Sequence, residues 1–270
     1  MKLSICTISF RHHLLSIDHI ADWAKEHHFD GIELWGVHAK NLADNPAYGE
    51  AWIKDKGLYI SMISDYLPLE LDTDRMLEET MKLSKLAKRW GTHKIRTFAG
   101  KKGSAETTSE ERADLVHALR TVCCYLDAEG QQAIVETHPG TLTDSLESTI
   151  QLMEEVDHPA LKVNFDVLHI WESGADPAEA LRKLQPYTAH FHLKNITAKK
   201  HLGVFAPHNV YAAAGSREGM TPLAKGAIDY ERFLRLLSHD AEASLEWFGP
   251  NVKEVLEMDG VMVREGIFAV

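Results

Sequence analysis

The chain has 270 residues, 44% hydrophobic and 26% charged, with 9 Pro and 17 Gly, which excludes disorder and leaves room for one large α/β domain or two smaller ones. A formal charge of −11 opposes nucleic-acid binding, which shows as a clustered basic excess. The apolar run of MKLSICTISFRHH is too short for a signal peptide, no later stretch approaches a membrane span, and Cys6, Cys123 and Cys124 imply no disulfide framework. These features predict a cytoplasmic protein.

Short β-branched runs alternate with amphipathic segments along the chain. The predicted strands are KLSICTIS, GIELW, LYISMISDY, KIRTF, AIVETH, LKVNFDV, TAHFHLKN and ASLEWF. Between them, 16–28, 42–56, 74–90, 108–130, 145–156 and 176–185 carry helical spacing, several opening on Ser, Thr or Asp at an N-cap position. Regular β-α alternation over this length predicts a single (β/α)8 TIM barrel spanning 1–270. A doubly wound sheet would show a Gly-rich phosphate turn after its first strand, and none follows KLSICTIS. The segment 196–228, rich in Gly, Ala and Asn, breaks the rhythm and is read as a loop over the active site, a candidate lid.

Side chains alternate across a strand, so polar residues two apart share a face. His190, His192 and Lys194 lie together, opposite Phe191 and Leu193; Arg96 lies with Lys94 and Phe98, Glu136 with Ile134 and His138, Asp166 with Asn164, and Glu246 with Ser244. If the apolar sets face the helices, these polar sets face the barrel axis near the C-terminal strand ends, where this fold keeps its active sites. Glu136, Asp166, His192 and Glu246 then converge, and three acids with one imidazole suit Mn²⁺, Mg²⁺ or Co²⁺. Without a cation such acids would repel one another.

Each of these residues also has a plainer reading. A single inward carboxylate is often a structural ion-pair partner, and His138 and His190 would suit a satisfied core as well as catalysis or the support of a ligand. Lys194 and Arg96 either neutralise the acids or bind substrate, while Tyr66 either touches substrate or caps the core. His169 reads as a loop contact, and Glu33, Trp35, His12 and His13 as mainly structural.

The segments SICTISFRHHLLS, GIELWGVHAKNL, HKIRTFAGKKGSA, ETHPGTLTDSLEST, FDVLHIWESGADP, HFHLKNI, HNVYAAAGSREGM and ASLEWFG resemble the bacterial 3-dehydroshikimate dehydratases of catecholate, petrobactin-type siderophore biosynthesis. The resemblance covers nearly the whole chain. It implies a xylose isomerase-like TIM barrel and a metal-dependent lyase that converts 3-dehydroshikimate to 3,4-dihydroxybenzoate (protocatechuate). It also implies manganese on Glu136, Asp166, His192 and Glu246, and His138 as the base that takes the proton α to the ketone. Tyr66, Arg96, His169, Lys194 and Tyr211 are implied as substrate-binding residues, with Arg96 and Lys194 also serving the reaction. The partner expected is a small molecule, with assembly into a homo-oligomer left open.

Three rivals share the barrel. A metal-dependent ketose epimerase or isomerase would move a proton with Glu136 and Glu246. An apurinic-endonuclease relative is suggested by DVLH, but its extra His and Asp ligands are not found and the acidic balance opposes it. A ligand-binding barrel without turnover would be expected to have lost part of the metal set or His138.

Overall fold

The computed structural model describes residues 1–268. Its strands are β1 (Lys2–Cys6), β2 (Gly31–Trp35), β3 (Tyr59–Ser64), β4 (Lys94–Thr97), β5 (Gln132–Glu136), β6 (Leu161–Asp166), β7 (Thr188–Leu193), β8 (Asn195–Ile196), β9 (Met220–Thr221) and β10 (Glu242–Leu245). Eight of them close a parallel barrel in the order β1-β10-β7-β6-β5-β4-β3-β2, while β8 and β9 form a separate antiparallel ribbon. Each predicted strand run supplies one barrel strand. The outward residues Ile95, Val135, Val163, Phe165, Phe191, Leu193 and Leu245 are buried beneath the helices, as their alternation requires.

Helix starts follow capping chemistry. Ser16 accepts from the His19 amide, Thr108 and Glu111 cap one another reciprocally, and Asp176 accepts from the Glu179 amide ahead of Pro177. Of the predicted helix over 42–56 only Glu50–Asp55 is helical, and a separate short helix, Gly36–Asn41, precedes it. Pro46 lies between them; it lacks an amide donor and disfavours helical geometry at Asn45. Among the described residues no helix is long and apolar enough to cross a membrane.

The segment 196–228 carries short structure of its own. It holds the ribbon strand β9, 3₁₀ turns at Lys199–Phe205 and Leu223–Lys225, and a helical turn at Pro207–Val210. Asn195 anchors its return: the carboxamide donates to the carbonyls of Leu223 (2.7 Å) and Ile228 (2.9 Å) and accepts from the Ile228 amide (3.2 Å). Gly226 packs so closely on that carboxamide that a Cβ would collide with it. Asp259, in the helix Val252–Phe268, accepts from the Leu223 amide at 2.9 Å and ties the same segment to the C-terminal helix.

Burial pushes the Asp259 carboxyl up to about 7. In the unfolded chain it ionises near its ordinary value of about 4, so stability is lost as pH rises from there through 7, by up to about 4 kcal/mol. Asp259→Asn keeps the acceptor and removes the charge. The variant is expected to raise the urea midpoint clearly at pH 8 and to change it little at pH 4.

Candidate active site

The four converging residues sit where strands end. Glu136 closes β5, Asp166 closes β6, His192 is one residue from the end of β7, and Glu246 follows β10 directly. Register aligns Asp166 with His192, and His192 with Ser244. Asp166 is also the N-cap of the helix Val167–Glu172: its Oδ1 accepts from the amides of Leu168 (3.0 Å) and His169 (3.1 Å). That leaves Oδ2 for the site. One ligand atom from each of Glu136, Asp166, His192 and Glu246 lies within 4.8 Å of all the others, and all four residues are buried.

Charge balance dominates this region. Lys194 Nζ lies 2.6 Å from Asp166 Oδ2 and 2.7 Å from Glu246 Oε2, and Arg96 Nε lies 3.1 Å from Glu136 Oε2. Burial alone would raise the Glu136 carboxyl, but Arg96 and His192 hold it well below the usual carboxylate range. Burial likewise opposes charge on Lys194, yet Asp166 and Glu246 hold its ammonium well above the ordinary lysine value. With Glu33, four carboxylates face two permanent cations, so two negative charges are left for the imidazoles or a metal to balance.

The donor set fits a divalent ion. His192 Nδ1 is buried with no hydrogen-bond partner, and lies 3.4, 3.8 and 3.6 Å from oxygens of Glu136, Asp166 and Glu246. Three carboxylate oxygens and one imidazole nitrogen around a point suit a hard or borderline cation. The free cysteines Cys123 and Cys124 lie in the helix Ser109–Ala128 and join none of the converging groups, while Cys6, buried in β1, lies beside Glu33 and Glu246.

The remaining predicted residues gather above this cluster. Tyr66, Arg96, His138, His169, Lys194 and Tyr211 line one small cavity of about 60 Å³, which adjoins a vestibule of about 500 Å³ through Phe98, His138, His169, Phe205 and Pro207. A larger groove of about 800 Å³ lies at the opposite end of the barrel, lined by Lys94, Arg182 and Arg232, and has none of the converging acids. His138 Nδ1 is 2.8 Å from the Pro139 carbonyl, which can only accept, so the proton is on Nδ1 and Nε2 keeps its lone pair. Burial, then His169, pushes His138 down to about 3. Arg96 stacks on Tyr66 (5.3 Å) and Phe98 (5.0 Å), and its buried Nη1 has no hydrogen-bond partner.

Tyr66 and Tyr211 are both partly exposed and share a hydroxyl hydrogen bond of 2.8 Å across the mouth, so Tyr66 caps no core. His169 belongs to the helix Val167–Glu172 and is buried, with Nδ1 2.7 Å from Glu172 Oε2. Spacing alone reads His169 as a loop contact, because the helix start at Asp166 is hidden in the strand run LKVNFDV.

Two further residues stand beside the cluster. His190 Nε2 bonds Ser244 Oγ at 2.8 Å and lies 3.6 Å from Glu33, and its ring packs edge-on against His192, with centroids 6.0 Å apart. Glu33, read as structural, instead puts both carboxylate oxygens on His192 Nε2, at 3.0 and 2.9 Å. The strand-face test applied to GIELW would have found it, since Glu33 alternates with the buried Ile32 and Leu34.

A family model described as the xylose isomerase-like TIM barrel matches residues 21–264. The 3-dehydroshikimate dehydratase of Bacillus anthracis is 48% identical over 266 residues, covering 96% of this chain and 95% of that protein. The crystal structure of the probable 3-DHS dehydratase AsbF, involved in petrobactin synthesis in Bacillus anthracis, matches with a TM-score of 0.94 at 47% identity, over 98% of this chain and 99% of that one. The IOLI protein with a binding zinc atom matches with a TM-score of 0.76 over 99% of this chain and 96% of that one; at 14% identity it shows a shared fold.

The cluster predicts one divalent ion per chain. In titration calorimetry Mn²⁺ is expected to bind with unit stoichiometry, and Glu246→Gln to weaken it by at least about tenfold, the loss typical of a removed or disturbed ligand environment. Unchanged affinity in the variant would remove Glu246 from the ligand set.

Proposed function

The chain belongs to the xylose isomerase-like TIM barrels and, among them, to the 3-dehydroshikimate dehydratase family, and we infer that it eliminates water from 3-dehydroshikimate to give 3,4-dihydroxybenzoate. The observation that carries this reading is 48% identity over 96% of the chain to a named dehydratase, on a chain whose own cavity joins an acid cluster to a histidine with a free lone pair. Identity to the lyase spans nearly the whole chain, which separates this activity from ketose isomerisation on the same barrel.

Glu136, Asp166, His192 and Glu246 would hold the metal; three oxygens with one nitrogen suit Mn²⁺, Mg²⁺ and Co²⁺ alike, and the resemblance to the 3-dehydroshikimate dehydratases implies Mn²⁺. When bound, the ion supplies Lewis-acid polarisation of the substrate ketone. The chain's residues do the rest. His138 Nε2 takes the proton α to the ketone, with Nδ1–H fixed on the Pro139 carbonyl so that the ring cannot present its other nitrogen. Lys194 and the unpartnered Nη1 of Arg96 supply positive charge for the developing enolate and the substrate carboxylate.

The hydroxyl β to the ketone then leaves. That oxygen takes a proton, returned by His138 or delivered through water, and departs as water; the dienone left behind becomes aromatic by losing one proton from its remaining ring CH2 and gaining one on the ketone oxygen. Tyr66, Tyr211 and His169 orient the ring in the cavity, and Phe98 and Phe205 exclude solvent from it. We assign the enzyme to the cytoplasm and its product to catecholate siderophore assembly, the first on its three free cysteines and the second on its likeness to a petrobactin-synthesis enzyme.

His138→Ala is expected to lower turnover by about 10²- to 10⁴-fold, the usual worth of a positioned base. The affinity for Mn²⁺ should stay within about threefold, because His138 is outside the four converging residues and its Nδ1 is held by the Pro139 carbonyl. Turnover is read as ultraviolet absorbance of the aromatic product and affinity by calorimetry. Equal loss of metal and of turnover would contradict the separation of roles. Chelation with EDTA should abolish the absorbance and Mn²⁺ restore it; full turnover in chelator-treated enzyme would contradict the metal requirement.

A further inference from the structure

An imidazole can present either nitrogen, and a metal site needs one of them reliably. His192 lies in the barrel interior with its two nitrogens in different surroundings. Nδ1 faces oxygens of Glu136, Asp166 and Glu246 and has no hydrogen-bond partner, whereas Nε2 is bracketed by both oxygens of Glu33. A carboxylate oxygen can only accept, so Nε2 carries the proton.

We propose that Glu33 is a positioning residue: it holds His192 in the Nε2–H form, so that Nδ1 is the nitrogen turned to the metal. The assignment rests on the metal-site reading above and extends it to a residue outside the ligand set. Glu33 is itself fixed from several strands. Ser64 Oγ in β3 donates to Oε1, as does Cys6 Sγ in β1 at 3.4 Å, and His190 Nε2 in β7 lies 3.6 Å from Oε2. Burial works to raise the Glu33 carboxyl, but His192 and His190 hold it well below the usual carboxylate range.

The same contacts exclude a competing role. Cys6, Glu33 and Glu246 also lie close enough to bracket an ion, but Glu33 has both oxygens committed to donors. Glu33 therefore acts through His192.

The test combines histidine ¹⁵N NMR with metal titration of the full chain. In wild type loaded with diamagnetic Zn²⁺, His192 should show a ligated Nδ1 and a protonated, slowly exchanging Nε2; ligation through Nε2 would overturn the proposal without any variant. In Glu33→Gln, Mn²⁺ affinity should fall about 10- to 100-fold and Nε2–H should lose its protection, with partial recovery in Glu33→Asp. Unchanged affinity and an unchanged Nε2 signal in Glu33→Gln would overturn it too. A purely structural Glu33 would lower the melting temperature and leave the Nε2 signal in place. If the wild type bound no divalent ion while Nε2–H stayed protected by Glu33, the metal reading would fail and the hold on His192 would stand.

Discussion

Charge compensation inside a closed barrel is the constraint on which the rest depends. Glu33, Glu136, Asp166 and Glu246 are all buried, and carboxylates out of water are strongly unfavourable unless cations and hydrogen-bond donors surround them. Arg96 and Lys194 meet part of that requirement within the protein, at 3.1 and 2.6 Å from their acids. Their presence sets charges of both signs side by side where the strand ends converge.

The barrel makes this concentration of charge possible. Parallel strands present their C-terminal ends at one rim, so side chains far apart in sequence meet there without a long loop to order them. Asp166 shows the economy of the arrangement. One oxygen caps the helix Val167–Glu172 and the other faces the site, so the turn that ends β6 also fixes the angle of an acid and brings His169 to the cavity. The opposite rim is handled separately: Lys94 there pairs with Glu242 and the Ala189 carbonyl, both at 2.8 Å, and takes no part in the site although it shares a strand face with Arg96.

Access is shaped by the segment after β7. It folds back over the mouth, presents Phe205, Pro207, Val210 and Tyr211 to the cavity, and meets the β3 end through the Tyr66–Tyr211 hydroxyl pair. Arg11 holds the same segment from the β1 side by donating from Nε to the Val210 carbonyl at 2.7 Å. The anchors at Asn195 and Asp259 lie at its base, so the two ends of the segment are fixed while its middle forms the roof.

The sequence by itself determined the strand runs, the alternating barrel and the four converging residues, because a period of two records which face of a strand is turned inward and parallel order records at which end such residues gather. It also carried His138, through a resemblance rather than through spacing. The tertiary structure decided what periodicity cannot encode. It decided the break at Pro46, the helix hidden behind Asp166, the folding of 196–228 and the meeting of Tyr66 with Tyr211. Above all it decided the pairing of Glu33 with His192, which are 159 positions apart. A strand pattern says that a side chain points inward; only closure of the sheet says which inward side chain from another strand it will meet.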